Sequence, residues 1–404
     1  MMRKKMTVVL ISLIFSAASA WAQDSATRQE VDQLKQRVAE LEQKQEQVEK
    51  DYGELSDIAR HVSFGGVIAG AYQYEWVSGP PDIDDRGRGA MAFQPEVSIT
   101  PTENDEIFFN LGFGARNGLN DKTAFNLAPW GADLEDDVKD INGRNRDYLL
   151  QVWYKHTFAF ADDHTLGVTG GLIDATGYLD DNAYANDEYT QFMNVALVNA
   201  ANAFLPSYDI GAAVEWDFGR LGLRGVYMNV GENDDGNNYN FYGAQVNYTL
   251  ETPLGEGHYR VGYNMTSSDF LDPEGTSEEG LEVLFFSFDQ AFSEILGAWV
   301  RFAFSSDDAL VDYEELYSGG ISISGNWWGR EQDSIGLGLA YLDGAGQTEE
   351  RPQDTQVAEG YVRFGLNDYL ALTVDLQYMK DNYQGGGDAD VDGWIGGVRA
   401  TCEF

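Results

Sequence analysis

From about Val62 onward, apolar and polar side chains alternate one for one. In LALTVDLQYM, Leu370, Leu372, Val374, Leu376 and Tyr378 share one face, and Ala371, Thr373, Asp375 and Gln377 share the other. A two-residue period marks strands whose two faces meet different surroundings. The closing stretch, DGWIGGVRATCEF, repeats it, with Trp394, Gly396, Val398, Ala400, Cys402 and Phe404 on one side and Arg399, Thr401 and Glu403 on the other. Turn signals fall near 102–105, 161–164, 218–220, 252–257, 293–296, 329–333 and 367–369. Longer acidic segments alternate with them, including SGPPDIDDRGRG, APWGADLEDDVKDINGRN, GENDDGNN and TSSDFLDPEGTSEEG. About 16 strands are expected, with nearly every long loop at one end. A sandwich has no reason for that asymmetry. A closed antiparallel barrel in an outer membrane does, with lipid on the apolar face and water on the other. The expected fold is all-β: a transmembrane barrel over 61–404, with Phe404 in the interfacial aromatic girdle.

Residues 28–58 follow a different rhythm. Val31, Leu34, Val38, Leu41, Gln45, Val48, Tyr52 and Leu55 recur at alternating spacings of three and four. That period of 3.5 predicts a coiled-coil stalk over 23–60, with polar Gln45 setting register. A solvated amphipathic helix is the alternative. Ahead of it, Arg3, Lys4 and Lys5 precede an apolar run from Met6 to Phe15 and an Ala20-Trp21-Ala22 site. Residues 1–22 therefore read as a secretory signal peptide, which places the stalk in the periplasm.

Composition narrows the function. The formal charge is −41, and removal of the three leader cations leaves 23 basic against 67 acidic side chains. Such a chain repels phosphate backbones, which excludes nucleic acid as a partner. The single cysteine, Cys402, permits no internal disulfide. With 22 Tyr, 22 Phe and 45 Gly, the composition fits an aromatic-girdled barrel. The expected partners are outer-membrane lipid and lipopolysaccharide, bridged loosely by divalent cations at the acidic loops. No defined metal site is expected, because those loops lack the EF-hand register. His61, His156, His164 and His258 fall at strand ends, with no G-x-S-x-G, H-x-x-x-H or C-x-x-C spacing. No catalytic residue and no cofactor is expected.

One segment, GGLIDATGYLDDNAYANDEYTQFMNVALVNAANAFLP, is more than acidic. It carries Asp180, Asn182, Asp187, Glu188, Gln191 and Asn194. A helix is predicted over 187–201, capped by Asn186, with Pro206 beyond its end. Its stripe of Phe192, Val195, Ala196 and Leu197 needs a surface, either inside the barrel near 174–207 or over its mouth. Phasing of the strands by their aliphatic faces turns Trp153, Lys155, Arg260, Trp299 and Arg301 inward, and leaves Leu150, Val152 and Tyr154 outward. Trp153 and Trp299 beside Lys155 and Arg301 suit sugar rings, whose C–H faces stack on aromatics while their hydroxyls take hydrogen bonds. Equally, a folded-in loop can pack on those tryptophans. Inward arginines, Arg363 and Arg399 included, are expected to pair with carboxylates such as Asp375 and Glu403.

The stretch DATGYLDDNAYANDEYTQFMNVALVN resembles the D-x-N-x-x-A-N-D-E-x-x-Q-F-x-N-x-A-L-x-N run of the carbohydrate-selective porin family, the OprB type. GHYRVGYN, FSFDQAFSEILGAWVRFAFS, WWGREQDSIGLGLAY and GGVRATCEF resemble further stretches of it in the same order, through most of 62–404. The resemblance implies a 16-stranded, trimeric outer-membrane porin for passive diffusion of small hydrophilic solutes, carbohydrates above all. The stalk and the heavy acidity depart from that pattern. Two other readings remain: an envelope tether with an incidental pore, and a siderophore-type chelate uptake barrel without the large plug domain of energy-coupled receptors.

Overall fold

The computed structural model describes residues 33, 35–44, 60–79, 84–349, 351–384 and 390–404. The chain divides at His61/Val62 into two units.

In the first unit, residues 33 and 35–44 are helical, and Leu41 on the expected seam is 65% exposed. Val38 is half-buried. Val31, Leu34, Gln45 and Val48 lie outside the described residues, as does the expected leader. The described residues do not show the four-heptad coiled coil.

The second unit is a barrel. Its strands are β1 (Val62–Ser78), β2 (Arg86–Thr102), β3 (Asp105–Leu111), β4 (Phe113–Ala115), β5 (Leu149–Ala161), β6 (His164–Ile173), β7 (Asp209–Phe218), β8 (Leu221–Glu232), β9 (Asn238–Thr252) and β10 (Gly255–Thr266). After a small hairpin, β11 (Phe270–Leu271) with β12 (Glu278–Glu279), come β13 (Glu282–Ala291), β14 (Leu296–Ser305), β15 (Tyr313–Ser324), β16 (Ser334–Gly344), β17 (Pro352–Gly365), β18 (Leu370–Tyr383) and β19 (Val391–Glu403). Seventeen of them form one sheet. β3 and β4 are two pieces of one crossing broken at Gly112, so the wall has 16 antiparallel crossings. β1 pairs β2 on one side and β19 on the other, from Val67↔Glu403 to Ser78↔Asp392, which closes the cylinder. All seven expected tight turns fall at connections between consecutive crossings. Near the seam the chain needs glycine at 66. Its φ is +143°, and a Cβ there would lie 2.3 Å from the Gln94 carbonyl oxygen.

The two-residue period sets the two faces. Trp394 and Val398 on β19 and Phe404 just beyond it are about half exposed, while Ile395, Arg399 and Thr401 between them are buried. The outward face carries a broad apolar and aromatic belt, as lipid requires. Leu150 departs from its outward assignment. The β3–β5 register slips between Asn110↔Gln151 and Leu111↔Leu149, so Leu150 is the extra residue of a bulge. It packs on Val138, Ile141 and Tyr208.

The inward face is not uniformly wet. Val283, Phe285, Leu316, Leu342, Val357, Met379 and Ile395 point inward and join a buried cluster with Leu179, Phe192 and Leu197. The apolar part of the inner wall is therefore a docking surface for chain folded inside.

Candidate functional site

Two long connections, 116–148 and 174–208, fold against the inner wall, which bonds their backbones. Arg301 on β14 is completely buried. It donates to Asp180 Oδ1 (2.7 Å) and to the carbonyls of Asp180 (3.1 Å), Ala185 (2.9 Å) and Leu197 (3.4 Å). Arg399 on β19 donates to the carbonyls of Glu188 (2.6 Å) and Gln191 (2.9 Å). Glu359 on β17 accepts from the amides of Met193 (2.6 Å) and Asn194 (2.9 Å). The other connection is tied likewise. Gln73 and Gln377 both donate to the Pro129 carbonyl, Glu75 accepts from Thr123 and Ala124, and Asp381 accepts from the Asn126 amide. The connections meet where Trp130 Nε1 donates to the Glu188 carbonyl at 3.0 Å.

Inward glycines make room for this. On β16, a Cβ at Gly338 would lie 2.9 Å from the Phe192 ring. Phe192 packs edge-on to Trp299 (5.7 Å between centroids) and Tyr361 (5.1 Å). Backbone strain gathers in the same connections. Among the described residues, every non-glycine residue at positive φ lies in them: Arg116, Asp140, Asn142, Asn145, Tyr148, Asp180, Phe204 and Tyr208. Such conformations persist only where the surroundings over-determine them, as at functional sites.

These bonds also explain the missing helix. Instead of 187–201, a single turn forms at Val195–Val198, capped by Asn194 rather than Asn186. Asp187 accepts from the amides of Tyr189 and Thr190 in a tight local turn. Arg399 and Glu359 take carbonyls and amides that a helix would have used internally.

Between the two connections lies a cavity of about 310 Å³, with Asp133, Asp174, Thr176, Glu188, Ser207 and Tyr208 among its lining. Tyr208 Oη donates to Asp133 Oδ2 (2.5 Å), as does Gln94 Nε2, and Ser207 Oγ donates to Asp174 Oδ1 (3.1 Å). Burial pushes the Asp133 carboxyl up to about 7, against the pull of the Tyr208 hydrogen bond and with help from Asp137 and Asp174. Burial, then the nearby Asp187 and Asp133, raises Glu188 well above the usual carboxylate range. Burial also raises Asp174. The cavity thus presents carboxyl and hydroxyl groups that both donate and accept hydrogen bonds.

The residues singled out from sequence divide by place. Of the residues expected to touch solute, Glu188 alone lines this cavity. Asp180 is buried under Arg301, and Asn182 is buried with its amide on Ser287 Oγ (3.2 Å). Trp299 is 2% exposed beneath Phe192, so it supports the loop and offers no open face. Trp153 stacks on Phe108 at 4.9 Å, and Lys155 pairs with Glu215. Arg260 pairs with Asp289 (2.6 Å) and Asp181 (3.1 Å) and lines a second pocket. Arg363 reaches Glu403 as expected (2.7 Å), whereas Arg399 turns to loop carbonyls. Sequence reasoning missed Asp133 and the whole inward course of 116–148. The signal was there: Trp130, Leu134, Val138 and Ile141 are large apolar residues spaced through an acidic segment, and all are buried.

A closed barrel with an apolar outer belt and a bore narrowed by its own connections is a diffusion channel of the outer membrane. The chain belongs to the carbohydrate-selective porin, OprB family, whose sequence model matches residues 112–404. An uncharacterized protein of Aquifex aeolicus (strain VF5) is 31% identical over 298 residues, 72% of this chain and 82% of that one. The high-pH structure of Pseudomonas putida OprB superposes with a TM-score of 0.69 at 15% identity, covering 87% of this chain and 96% of that one. The low-pH structure of the same protein gives 0.54 at 14% identity, covering 88% and 97%. These two likenesses speak to the fold. The tether and chelate-uptake readings are not favoured by the family.

Proposed function

We propose that small neutral carbohydrates diffuse passively through this barrel by way of the space between connections 116–148 and 174–208. The observation that carries this reading is the cavity of about 310 Å³ lined by Asp133, Asp174, Glu188, Thr176, Ser207 and Tyr208. A hydroxyl-rich solute needs donors and acceptors interleaved, and a partly protonated carboxyl set beside hydroxyls supplies both. The volume is near the lower end for small-molecule sites, about 300 Å³, which suits one or two sugar rings. Trp153 and Lys155 line the wall on the way, and Asp187 shapes the turn that presents Glu188. The short turns face the periplasm and the acidic connections other than 116–148 and 174–208 face outward, where divalent cations link them to lipopolysaccharide. Three copies assemble, with the N-terminal heptads as a periplasmic stalk. The chain carries out no covalent chemistry.

Planar-bilayer recording with added neutral mono- and disaccharides tests the reading. Sugar-dependent interruption of the ionic current is expected, weakened in Glu188→Ala. Current that is indifferent to every sugar overturns it. Cross-linking of the full chain and of one lacking 28–58 tests the trimer and the stalk together.

A further inference from the structure

Below the inserted connections, toward the short-turn end, the inner wall holds a second cavity of about 260 Å³. Its basic liners stand out in a chain of net charge −41. They are Arg220 in the β7–β8 turn, Arg224 on β8, and His258 and Arg260 on β10. Most of these charges are matched. Arg224 Nη1 is 2.8 Å from Asp217, with Glu215 at 4.0 Å from its Nε. Arg260 holds Asp289 and Asp181. His258 sits between Asp289 (2.8 Å) and Glu256 (3.1 Å). Arg220 is exposed and has no ion pair or side-chain hydrogen bond among the described residues. Each of the other three basic side chains touches two carboxylates, so Arg220 is the cation of this lining that no carboxylate engages. Asn247 and Thr249 add uncharged donors and acceptors to the same lining.

That pattern selects a ligand chemistry. A neutral sugar can use Asp181, Asp217, Asn247 and Thr249, but it leaves the Arg220 charge unanswered. A free anion answers the charge but not the hydroxyl partners. A sugar bearing one carboxylate answers both, and guanidinium–carboxylate pairing is the stronger, directional contact. We infer that this pocket is a station for uronic acids at the short-turn end of the channel, with Arg220 holding the carboxylate. The inference rests on the reading of the barrel as a sugar channel and names a second solute class for it. Elsewhere the acidic chain repels anions, so a sugar acid would dwell at this one place.

The test is current noise in planar bilayers, with sodium glucuronate or glucose added to the short-turn side of the full-length channel. Glucuronate is expected to bind roughly five-fold more tightly than glucose, the scale of one solvent-exposed ion pair. Arg220→Gln should abolish that preference and Arg220→Lys should keep part of it, with heat-modifiable migration on gels confirming that each barrel is folded. In the unmodified channel, raising the salt from about 0.1 to 1 M should shrink the preference by screening. Equal binding of the two sugars overturns the inference, as does a five-fold preference that survives Arg220→Gln or high salt. If glucose perturbs the current and glucuronate does not, the station fails while the sugar channel stands. If neither does, the sugar channel itself fails.

Discussion

Arg301→Met is the sharpest perturbation available. The guanidinium reaches three separate points of connection 174–208 and is completely buried, as is its partner Asp180. Methionine fills similar volume but donates nothing. The substitution strands the Asp180 carboxylate inside and frees the carbonyls of Ala185 and Leu197. Breaking a buried pair from one side costs about 3–5 kcal/mol. The 16-crossing wall survives that, since none of its ladder bonds is touched. The loss falls on the connection, which opens locally. Expected single-channel records show larger and noisier conductance, with weaker discrimination among sugars of increasing size in liposome swelling. Asp180→Asn added to Arg301→Met removes the stranded charge while keeping a residue that tolerates the φ of +61° found there. The double variant should recover part of the loss, with a coupling of roughly 2 kcal/mol. Wild-type conductance and noise in Arg301→Met would refute the claim that this arginine holds the constriction.

Other outcomes follow from the same geometry. The Asp133 carboxyl, held up to about 7 by burial, is neutral in acid. Its contribution to loop packing is full below the ordinary carboxylate pKa and is lost as pH rises through about 7. Over that interval the cavity gains negative charge, so reversal potentials in a salt gradient should move toward cation selectivity; Asp133→Asn should flatten the curve, and a flat curve in the native channel would contradict the assignment. Gly338→Ala places a Cβ 2.9 Å from the Phe192 ring. It should cost about 1–3 kcal/mol by overpacking, visible as a changed conductance with unchanged gel mobility of the folded barrel. Deletion of Phe404 removes two backbone bonds of 3.1 Å to Gly66 at the seam, and the heat-modifiable band should weaken in cells and in refolding.

The wall was legible in the sequence because a strand between two media must alternate. Leu370, Val374 and Leu376 faced outward as read, and Ala371, Thr373 and Gln377 inward. Leu150 was misread because one bulge residue inverts the phase locally, and nothing in YLLQVWYKH announces it. The connections were harder. Asp180 and Asn182 have the side chains of a solute site, yet they serve the loop's own fold. Burial, which decides between those roles, depends on Arg301 and Ser287, both more than a hundred residues away. Asp133 went unseen because an acidic segment reads as solvated unless the apolar residues within it are given equal weight.

The seam carries a last consequence, for biogenesis. Gly66 and Phe404 exchange backbone bonds, so the first stave of the cylinder waits for the strand that ends beside it. A nascent chain that lacks β19 cannot complete the hoop. Until it does, two raw sheet margins are open to any neighbouring strand, and the ring-closing contact spans nearly the whole length, which slows folding. The fold therefore favours export with an escort that keeps those margins apart from other chains until the ring is shut.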